Sequence, residues 1–175
     1  MTESDNTCTA DGFREEACEV LDQAVIKLEN CFAQLDEKQI WWRPAENQNS
    51  IGNLTLHICG NLRQWVIAGL TGAADARERD KEFAADVSAS KKELLSLAHS
   101  TVNEAKTTIA TIDEQQLMAI HEIQGFSVTG LKAIFHTTTH FVGHTHQIIL
   151  LSRIQLGESY KFAWSPEQGR DQLPI

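Results

Sequence analysis

The sequence predicts an all-α protein, a four-helix bundle, from three observations. Four separate segments repeat apolar residues at steps of three and four, which is the period of an amphipathic helix. The chain has only 3 Pro and 10 Gly among 175 residues, few for a fold made of many short strands and turns. Apolar residues make up 42% of the chain, an ordinary share for a globular domain. Four such helices in one domain bury their apolar stripes against one another as a bundle.

The first predicted helix follows residues 1–10, which are polar and expected to be flexible. Its apolar stripe begins at Phe13 and continues to Leu35, so the helix should end near Asp36.

The segment 40–49 is predicted to be a loop. Pro44 disfavours helical backbone at Arg43, and Asn and Gln dominate the residues that follow. Trp41 and Trp42 are adjacent and point in different directions, so at least one of them should close an end of the core. Packing of this loop over the bundle is favoured over direct contact with a substrate.

The second predicted helix begins after Ser50, whose side chain is a good N-cap. It carries His57 and Trp65 among its apolar residues and should end near Gly69 or Gly72.

The charged stretch 73–87 is predicted to be a solvated connection that contains at most a short turn of helix. The third helix follows it, because Ser90 and Glu93 have the spacing of a capping box. Its apolar stripe extends to Ile112.

Residues 113–128 are predicted to be a longer connection that contains a turn at Gly125 and short extended pieces. Thr129 can cap the fourth helix, and Gly157 is a natural C-terminal stop, so this helix should exceed ~25 residues.

The resulting organisation is a single bundle domain over residues 11–165. It lies between the flexible N-terminal residues 1–10 and a C-terminal tail, residues 166–175. The aromatic residues just before that tail are expected to fold back on the bundle or to meet a second subunit; they are Tyr160, Phe162 and Trp164.

The charge and the apolar runs exclude several functional classes. The formal net charge is -9, and no basic block supplies the cationic surface that nucleic-acid binding normally needs. No apolar run approaches the roughly 20 residues of a membrane-spanning helix, and no secretory signal is recognisable. We therefore expect a cytoplasmic protein that binds neither nucleic acid nor membrane. Its cysteines lack CxxC spacing and are expected to be free thiols.

The fourth helix carries three histidines at successive steps of four: His136, His140 and His144. Side chains four residues apart lie one above the other on a helix, so two imidazoles can bind the same ion. Each step also drifts about 40° around the axis, so three histidines in this row do not easily reach one ion. Spacing alone leaves two pairs open, His136 with His140 or His140 with His144. His146 lies on roughly the opposite face.

A third ligand should come from a neighbouring helix, and His57 is the best candidate because it lies mid-helix among apolar residues. Three neutral imidazoles describe an open site of the catalytic type. Zinc and nickel are favoured for such nitrogen ligands, with iron and manganese as alternatives. Cys59 points about 200° away from His57. His99 and His121 have no partners at metal-binding spacing.

Three motifs in this order resemble the DinB-like (DinB/YfiT-like) superfamily of metal-dependent enzymes. They are Asn53-Leu54-Thr55-Leu56-His57 leading to Trp65, then Val128-Thr129-Gly130-Leu131, then His136-x3-His140-x3-His144-x2-Gln147. The segment Trp41-Trp42-Arg43-Pro44 is similar to one bacterial branch known only as a domain of unknown function. The resemblance covers roughly residues 13–165.

This resemblance implies an up-down-down-up four-helix bundle, often a homodimer. It also implies a metal triad of His57, His140 and His144, which resolves the choice that spacing left open. His136, Gln147, Asn53 and Trp65 are then expected to support the ligands or to line a pocket. Where some relatives have Arg and Gly before the Gln, this chain has Thr145 and His146, which puts any role of that Arg in doubt.

Characterised relatives include mycothiol-dependent isomerases and bacillithiol or glutathione S-transferases. The resemblance therefore implies a metal-dependent enzyme that transfers or isomerises a small electrophilic substrate with a low-molecular-weight thiol as cofactor. A metal ion can lower the pKa of a coordinated thiol, which makes this chemistry reasonable. The alternatives are a metal-dependent hydrolase and a non-catalytic, metal-binding stress protein.

Overall fold

The computed structural model describes residues 9–84 and 89–164. The terminal segments for which the sequence predicts flexibility or a tail, residues 1–8 and 166–175, lie outside the described residues. Residues 9 and 10, also predicted to be flexible, belong to the first helix. No helix in the described ranges has both the length and the apolar character needed to cross a membrane.

Four long helices form the bundle: α1 (Thr9–Gln34), α3 (Ile51–Leu62), α6 (Lys91–Thr111) and α8 (Gly130–Leu156). Short elements connect them: α2 (Glu37–Trp41), α4 (Gly69–Thr71), α5 (Arg79–Ala84), α7 (Glu114–Met118), β1 (Ile120–Ile123) and β2 (Phe126–Thr129). α1 and α3 each pack against both α6 and α8, so the four long helices surround one core. The predicted all-α four-helix bundle is therefore confirmed.

The directions of the four long helices follow from contacts at their ends. Near the C-terminal ends of α1 and α8, Asn30 Nδ2 donates to the carbonyl of Lys161, so these helices run parallel. The start of α1 contacts the residue after α6, because Arg14 donates to the carbonyl of Ile112. α6 is therefore antiparallel to α1. α3 is antiparallel to α8, because His57 contacts His140 whereas Asn61, later on α3, contacts Thr137, earlier on α8. The order is up-down-down-up, as the resemblance implied.

Local capping signals position three of the long helices. Ser50 and Ser90 accept from the backbone amides of Asn53 and Glu93, and each pair completes a capping box. Thr129 caps α8 in the same way, through the amide of Lys132. These contacts satisfy backbone donors that a helix N-terminus leaves unpaired, and they confirm the three helix starts predicted from the sequence.

After Leu62, α3 continues through a π-helical segment, Arg63–Ala68, into the single turn of α4. Gly72 ends this run with φ 74°, a left-handed conformation that glycine adopts without strain. One of the two predicted ends of the second helix is thereby confirmed. This π-helical segment carries Trp65, whose ring packs against His136 of α8 and Phe126 of the hairpin. π-Helical turns often occur beside functional sites.

Two short helices occupy segments that the sequence predicted to be connections. α2 begins with a capping box between Asp36 and Gln39, and α7 with one between Asp113 and Gln116. Each helix has only five residues, too few for an apolar period to be recognised in the sequence. Of the two adjacent tryptophans, Trp41 is buried against the core and Trp42 is exposed, as predicted.

The predicted extended pieces near Gly125 form a two-stranded antiparallel hairpin of β1 and β2. Its two-residue turn consists of Gln124 (φ 55°) and Gly125 (φ 79°). Positive φ at both positions is the backbone of a tight hairpin turn whose twist matches the strands.

The prediction that residues 73–87 are solvated is wrong at two positions. Glu82 is only 8% exposed, and the side chain of Arg77 is only 4% exposed. Arg79, Asp80 and Lys81 are exposed as expected. The two buried charges pair with each other, and such pairing makes their burial tolerable. Residues 85–87 lie outside the described residues.

Candidate metal centre

Three histidines meet between α3 and α8. His57 lies in the middle of α3 and is buried, whereas His140 and His144 lie one turn apart on α8 and are half-buried. One ring nitrogen of each can be chosen so that all three atoms lie within 4.8 Å of one another. Because α3 and α8 are antiparallel, the neighbouring contact one turn along each helix joins Asn61 to Thr137 by a buried hydrogen bond of 2.7 Å.

The closest approach within this group joins Nε2 of His57 to Nε2 of His140, at 3.0 Å. Two neutral imidazole lone pairs at this distance repel each other unless a proton or a cation lies between them. In the metal-free protein, an N–H of one ring donates a hydrogen bond to the lone pair of the other. If a cation lay between the two Nε2 atoms, both lone pairs would point to it instead.

A carboxylate fixes the outer side of the His57 ring. Nδ1 of His57 lies 2.9 Å from Oε2 of Glu82. Arg77 holds the same carboxylate at both oxygens, with Nε 2.7 Å from Oε1 and Nη2 2.9 Å from Oε2. Nη2 of Arg77 also lies 3.1 Å from Nδ1, but it makes a shorter contact of 2.9 Å by donating to Oε2 of Glu82. Since an ionised carboxylate only accepts hydrogen bonds, the contact with Glu82 places the proton on Nδ1, and Nε2 presents its lone pair toward His140.

The charge of Glu82 is maintained in spite of its burial. Desolvation alone would raise the pKa of this carboxyl group. Hydrogen bonds from Arg77 and His57, together with the charge of Arg77, outweigh desolvation and lower the pKa below its ordinary value. Glu82 is therefore an anion at neutral pH, paired with the Arg77 guanidinium.

Gln147 supports the third histidine in a comparable manner. Its Oε1 lies 2.9 Å from Nδ1 of His144, one turn earlier on α8. An amide oxygen accepts, so Nδ1 of His144 donates and Nε2 is left with the lone pair.

The two α8 histidines of this group, His140 and His144, are neutral at physiological pH. Burial lowers the pKa of His140 to about 4, and the neighbouring charges of His144, His57, His136 and Arg77 add to this effect. Burial also lowers the pKa of His144, and the hydrogen bond that His144 donates to Gln147 opposes this effect. Neutral imidazole is the form that binds a metal ion.

The nitrogen set fits a transition metal ion by its chemistry and nearly by its dimensions. Two nitrogens that are each about 2.1 Å from one ion lie at most about 4.2 Å apart. The separations here, 4.8 Å or less, come within that limit by small rotations of the imidazole rings. Borderline ions such as zinc, nickel and iron suit imidazole ligands.

His136 lies beside the group but outside it. Its ring is exposed, packs against Trp65 at a centroid distance of 4.3 Å, and stacks on His140 at 5.8 Å. Phe126 of the hairpin stacks on the other side of Trp65 at 6.5 Å. An aromatic row thus leads from the surface of the hairpin to His140. Nε1 of Trp65 is buried and has no hydrogen-bond partner among the described residues.

Asn53 contacts the segment that carries Glu82. Its Oδ1 accepts from Ser50, and its Nδ2 donates to the backbone carbonyl of Glu82 at 2.9 Å. Asn53 therefore positions the segment that carries the carboxylate.

The remaining candidate groups have other surroundings. His146 is exposed on the outer surface of α8. His99 pairs with Glu29 at 2.8 Å, and His121 lies 3.2 Å from the carbonyl of Gln116. Cys59 is buried, and desolvation raises its pKa to about 12; its thiol does not belong to the group of clustered ligand atoms.

Sequence reasoning missed Glu82 and Arg77 in this site. Both lie in a charged, Ala-containing stretch that has the composition of a solvated connection. A weak signal did exist. Gly60 lies one turn after His57 inside a helix, where glycine is unfavourable, and a Cβ there would collide with Oε1 of Glu82.

A separate cleft of about 600 Å³ is lined in part by Arg77 and Glu82. Its lining is mostly apolar, includes Leu56 and Ile67, and contains none of the three clustered histidines. The ion pair that contacts His57 therefore also borders this cleft.

Solved structures of bacterial proteins share this fold. A conserved protein from Enterococcus faecalis is 20% identical, with a TM-score of 0.66 over 82% of this chain and 97% of the other. A DinB-like protein from Bacillus subtilis (YjoA) is 16% identical, with a TM-score of 0.64 over 86% and 99%. A DinB-like protein from Bacillus cereus is 14% identical, with a TM-score of 0.67 over 88% and 97%. At these identities the likeness concerns the fold.

No curated protein matches the sequence. A family model described as "Protein of unknown function (DUF1572)" matches residues 9–168, which is nearly the whole chain. The extent of this match and the DinB-like fold confirm the resemblance stated from the sequence motifs. The chain therefore belongs to the DUF1572 family and has the DinB-like four-helix fold.

Proposed function

We propose that this protein is a metal-dependent enzyme in which His57, His140 and His144 hold one divalent transition metal ion. The observation that carries the proposal is the convergence of three imidazole nitrogens from two helices within 4.8 Å. The protonation of these imidazoles adds support, because His140 and His144 are neutral. Glu82 and Gln147 accept from the Nδ1 atoms of His57 and His144, which leaves a lone pair on Nε2 of each ring for the ion. Zinc and nickel are favoured over iron and manganese.

An open side of the site supports a catalytic rather than a purely structural ion. Structural zinc sites are closed by four protein ligands, whereas catalytic sites keep a position for substrate or solvent. Three histidines form the only group of at least three His, Cys, Asp or Glu ligand atoms found within this spacing among the described residues. His140 and His144 are only half-buried, so a small molecule can approach from the surface of α8.

We propose that the reaction is transfer or isomerisation of a small electrophile with a low-molecular-weight thiol. When bound, the ion would supply Lewis acidity that lowers the pKa of the thiol and favours the thiolate nucleophile. The row of Phe126, Trp65 and His136 would border the electrophile, because aromatic faces bind planar or apolar groups. His136, exposed and beside His140, can exchange a proton with a substrate atom at the surface.

The first experiment tests metal binding by the purified full-length chain. Metal content is measured after purification, and zinc and nickel Kd values are then measured by chelator competition. Alanine at 57, 140 or 144 should each abolish stoichiometric binding. His146→Ala is the matched control on the same helix and should bind as the wild type does. Unchanged binding in all three variants would disprove the metal site.

The second experiment tests the reaction. The metal-loaded protein is assayed with bacillithiol, mycothiol and glutathione against an electrophilic bimane dye, with a panel of ester and amide substrates in parallel. Turnover that requires both the thiol and His140 supports the proposal. Hydrolysis without a thiol would replace it with the hydrolase alternative, and metal binding without either activity would favour a non-catalytic protein.

We further propose a homodimer. Large apolar side chains are exposed along the outer face of α8, at Leu131, Phe135, Leu150 and Ile154. Leu131 and Phe135 lie about one turn apart, as do Leu150 and Ile154, and the four positions together span about 140° of the helix surface. Sedimentation equilibrium of the wild type and of Phe135→Ser tests this, since a dimer that uses this face should dissociate more readily in the variant; a monomeric wild type would refute it.

A further inference from the structure

A covering segment, residues 75–84, lies along the face of α3 that carries His57. The residues in contact with it are Asn53, His57 and Gly60 of α3 and Gln64 of the π-helical segment that continues α3. The steps between them are four, three and four, so they form one helical face. Nδ1 of His57 points toward this face, which is therefore covered by this one segment.

Both ends of the covering segment are tied to α3. At one end, the Asn53 side chain donates to the carbonyl of Glu82 at 2.9 Å. At the other end, the Gln64 amide accepts from Nη1 of Arg77 at 2.9 Å and donates to Asp75 at 2.6 Å. The first bond fixes the backbone at Glu82, and the other two hold the side chains of Arg77 and Asp75. The position of the Glu82 carboxylate is therefore set both by its own backbone and by the anchored Arg77.

The carboxylate has more partners than an ion pair needs. Arg77 contacts both of its oxygens, at 2.7 and 2.9 Å, which already satisfies a bidentate Arg–carboxylate pair. The additional contact with Nδ1 of His57, at 2.9 Å, restrains the orientation of the imidazole ring. In known metal centres, a carboxylate in this position fixes the tautomer and the orientation of a ligating histidine.

We propose that Glu82, held by Arg77, is a positioning residue that keeps His57 in the Nδ1–H tautomer with its Nε2 lone pair directed at the metal ion. This inference rests on the proposed metal site. It makes the covering segment a part of the metal centre, although none of its residues binds the ion.

The test replaces Glu82 by its isosteric amide. In Glu82→Gln, one of the two terminal atoms becomes an NH₂ donor, so the side chain no longer accepts from Arg77 at both atoms and from His57 as well. We expect a zinc Kd about 10- to 100-fold weaker than that of the wild type. We also expect long-range ¹H–¹⁵N spectra of the metal-free protein to show His57 as a single Nδ1–H tautomer in the wild type and as a mixture in the variant.

The matched control is Glu78→Gln, a carboxylate of the same segment that pairs with Lys81 at the surface. It should change neither the zinc Kd nor the His57 tautomer. Thermal unfolding of each metal-free variant establishes that it is folded. A Glu82→Gln protein that binds zinc within twofold of the wild type, or keeps the wild-type tautomer, would overturn the inference.

The two proposals fail separately. If the wild type binds no divalent ion, the proposed function is wrong, but the tautomer of His57 in the metal-free protein still decides whether Glu82 positions the ring. If the wild type binds zinc and Glu82→Gln binds it equally well, the metal site stands and the role of Glu82 is refuted.

Discussion

Gly60 packs so closely against Glu82 that a Cβ at position 60 would overlap Oε1 of the carboxylate. The same Cβ would lie 3.0 Å from Nε of Arg77. Glycine at this point of α3 therefore admits the ion pair to the surface of the helix, one turn from His57. Glycine inside a helix lowers stability by about 0.5–1 kcal/mol relative to alanine. At position 60 it leaves room for the Arg77–Glu82 pair.

Gly60→Ala should displace the Glu82 carboxylate and thereby release Nδ1 of His57. We expect a zinc Kd about 10-fold weaker, measured by chelator competition, because loss of an outer support typically has an effect of this size. Gly143→Ala is the control, since nothing lies within 4 Å of a Cβ at that helical position. It should leave the Kd unchanged and stabilise the fold by about 0.5–1 kcal/mol. Equal affinities of the two variants would contradict the prediction.

His144 and His136 should differ sharply in their contribution to metal binding. His144→Ala removes a nitrogen of the proposed triad and should weaken zinc binding by at least ~100-fold, more than the loss of an outer support does. His136→Ala removes only the ring that stacks on His140 and should change the Kd by no more than about threefold. The measurement is titration calorimetry with zinc. The reverse order would assign the helical pair to His136 and His140.

Gln147→Ala should weaken zinc binding moderately, by about 10-fold. The amide oxygen 2.9 Å from Nδ1 of His144 orients that ring, and its loss lets the ring rotate and change tautomer. The adjacent variant His146→Ala serves as the control, because its side chain is exposed. Chelator competition is again the measurement, and an unchanged Kd in Gln147→Ala would show that the hydrogen bond has no role in binding.

The metal-free protein should lose stability as the pH falls from 6.5 to 4. The pKa of His140 is lowered from 6.5 to about 4 in the folded protein, so between these values the unfolded chain binds more protons. Stability is then fully present above pH 6.5 and declines with falling pH. Glu82 acts in the same direction at lower pH, because its pKa is lowered from 4.5.

His140→Gln should flatten this dependence, which thermal unfolding at several pH values measures. His146→Gln changes an exposed histidine of the same helix and should keep the wild-type profile. Identical profiles for His140→Gln and the wild type would show that His140 does not cause the dependence.

The sequence alone predicted the features that depend on local interactions. The starts of the helices at Ser50, Ser90 and Thr129 were predictable, because a capping side chain bonds to an amide three residues away. The spacing of His140 and His144 likewise follows from the period of one helix. The short helices α2 and α7 were missed, since five residues do not display a period.

Only the tertiary structure decided what surrounds these histidines. The contact of His57 with His140 joins residues 83 positions apart, and that of His57 with Glu82 joins residues 25 apart. A buried charge is tolerated when its partner is in place. Arg77 and Glu82 are only five residues apart, but nothing in this charged stretch predicts that α3 buries the pair. The spacing on α8 predicted two histidines that can share an ion. The packing of α3 and of its covering segment determined which ring nitrogens face one another and which of them carries the proton.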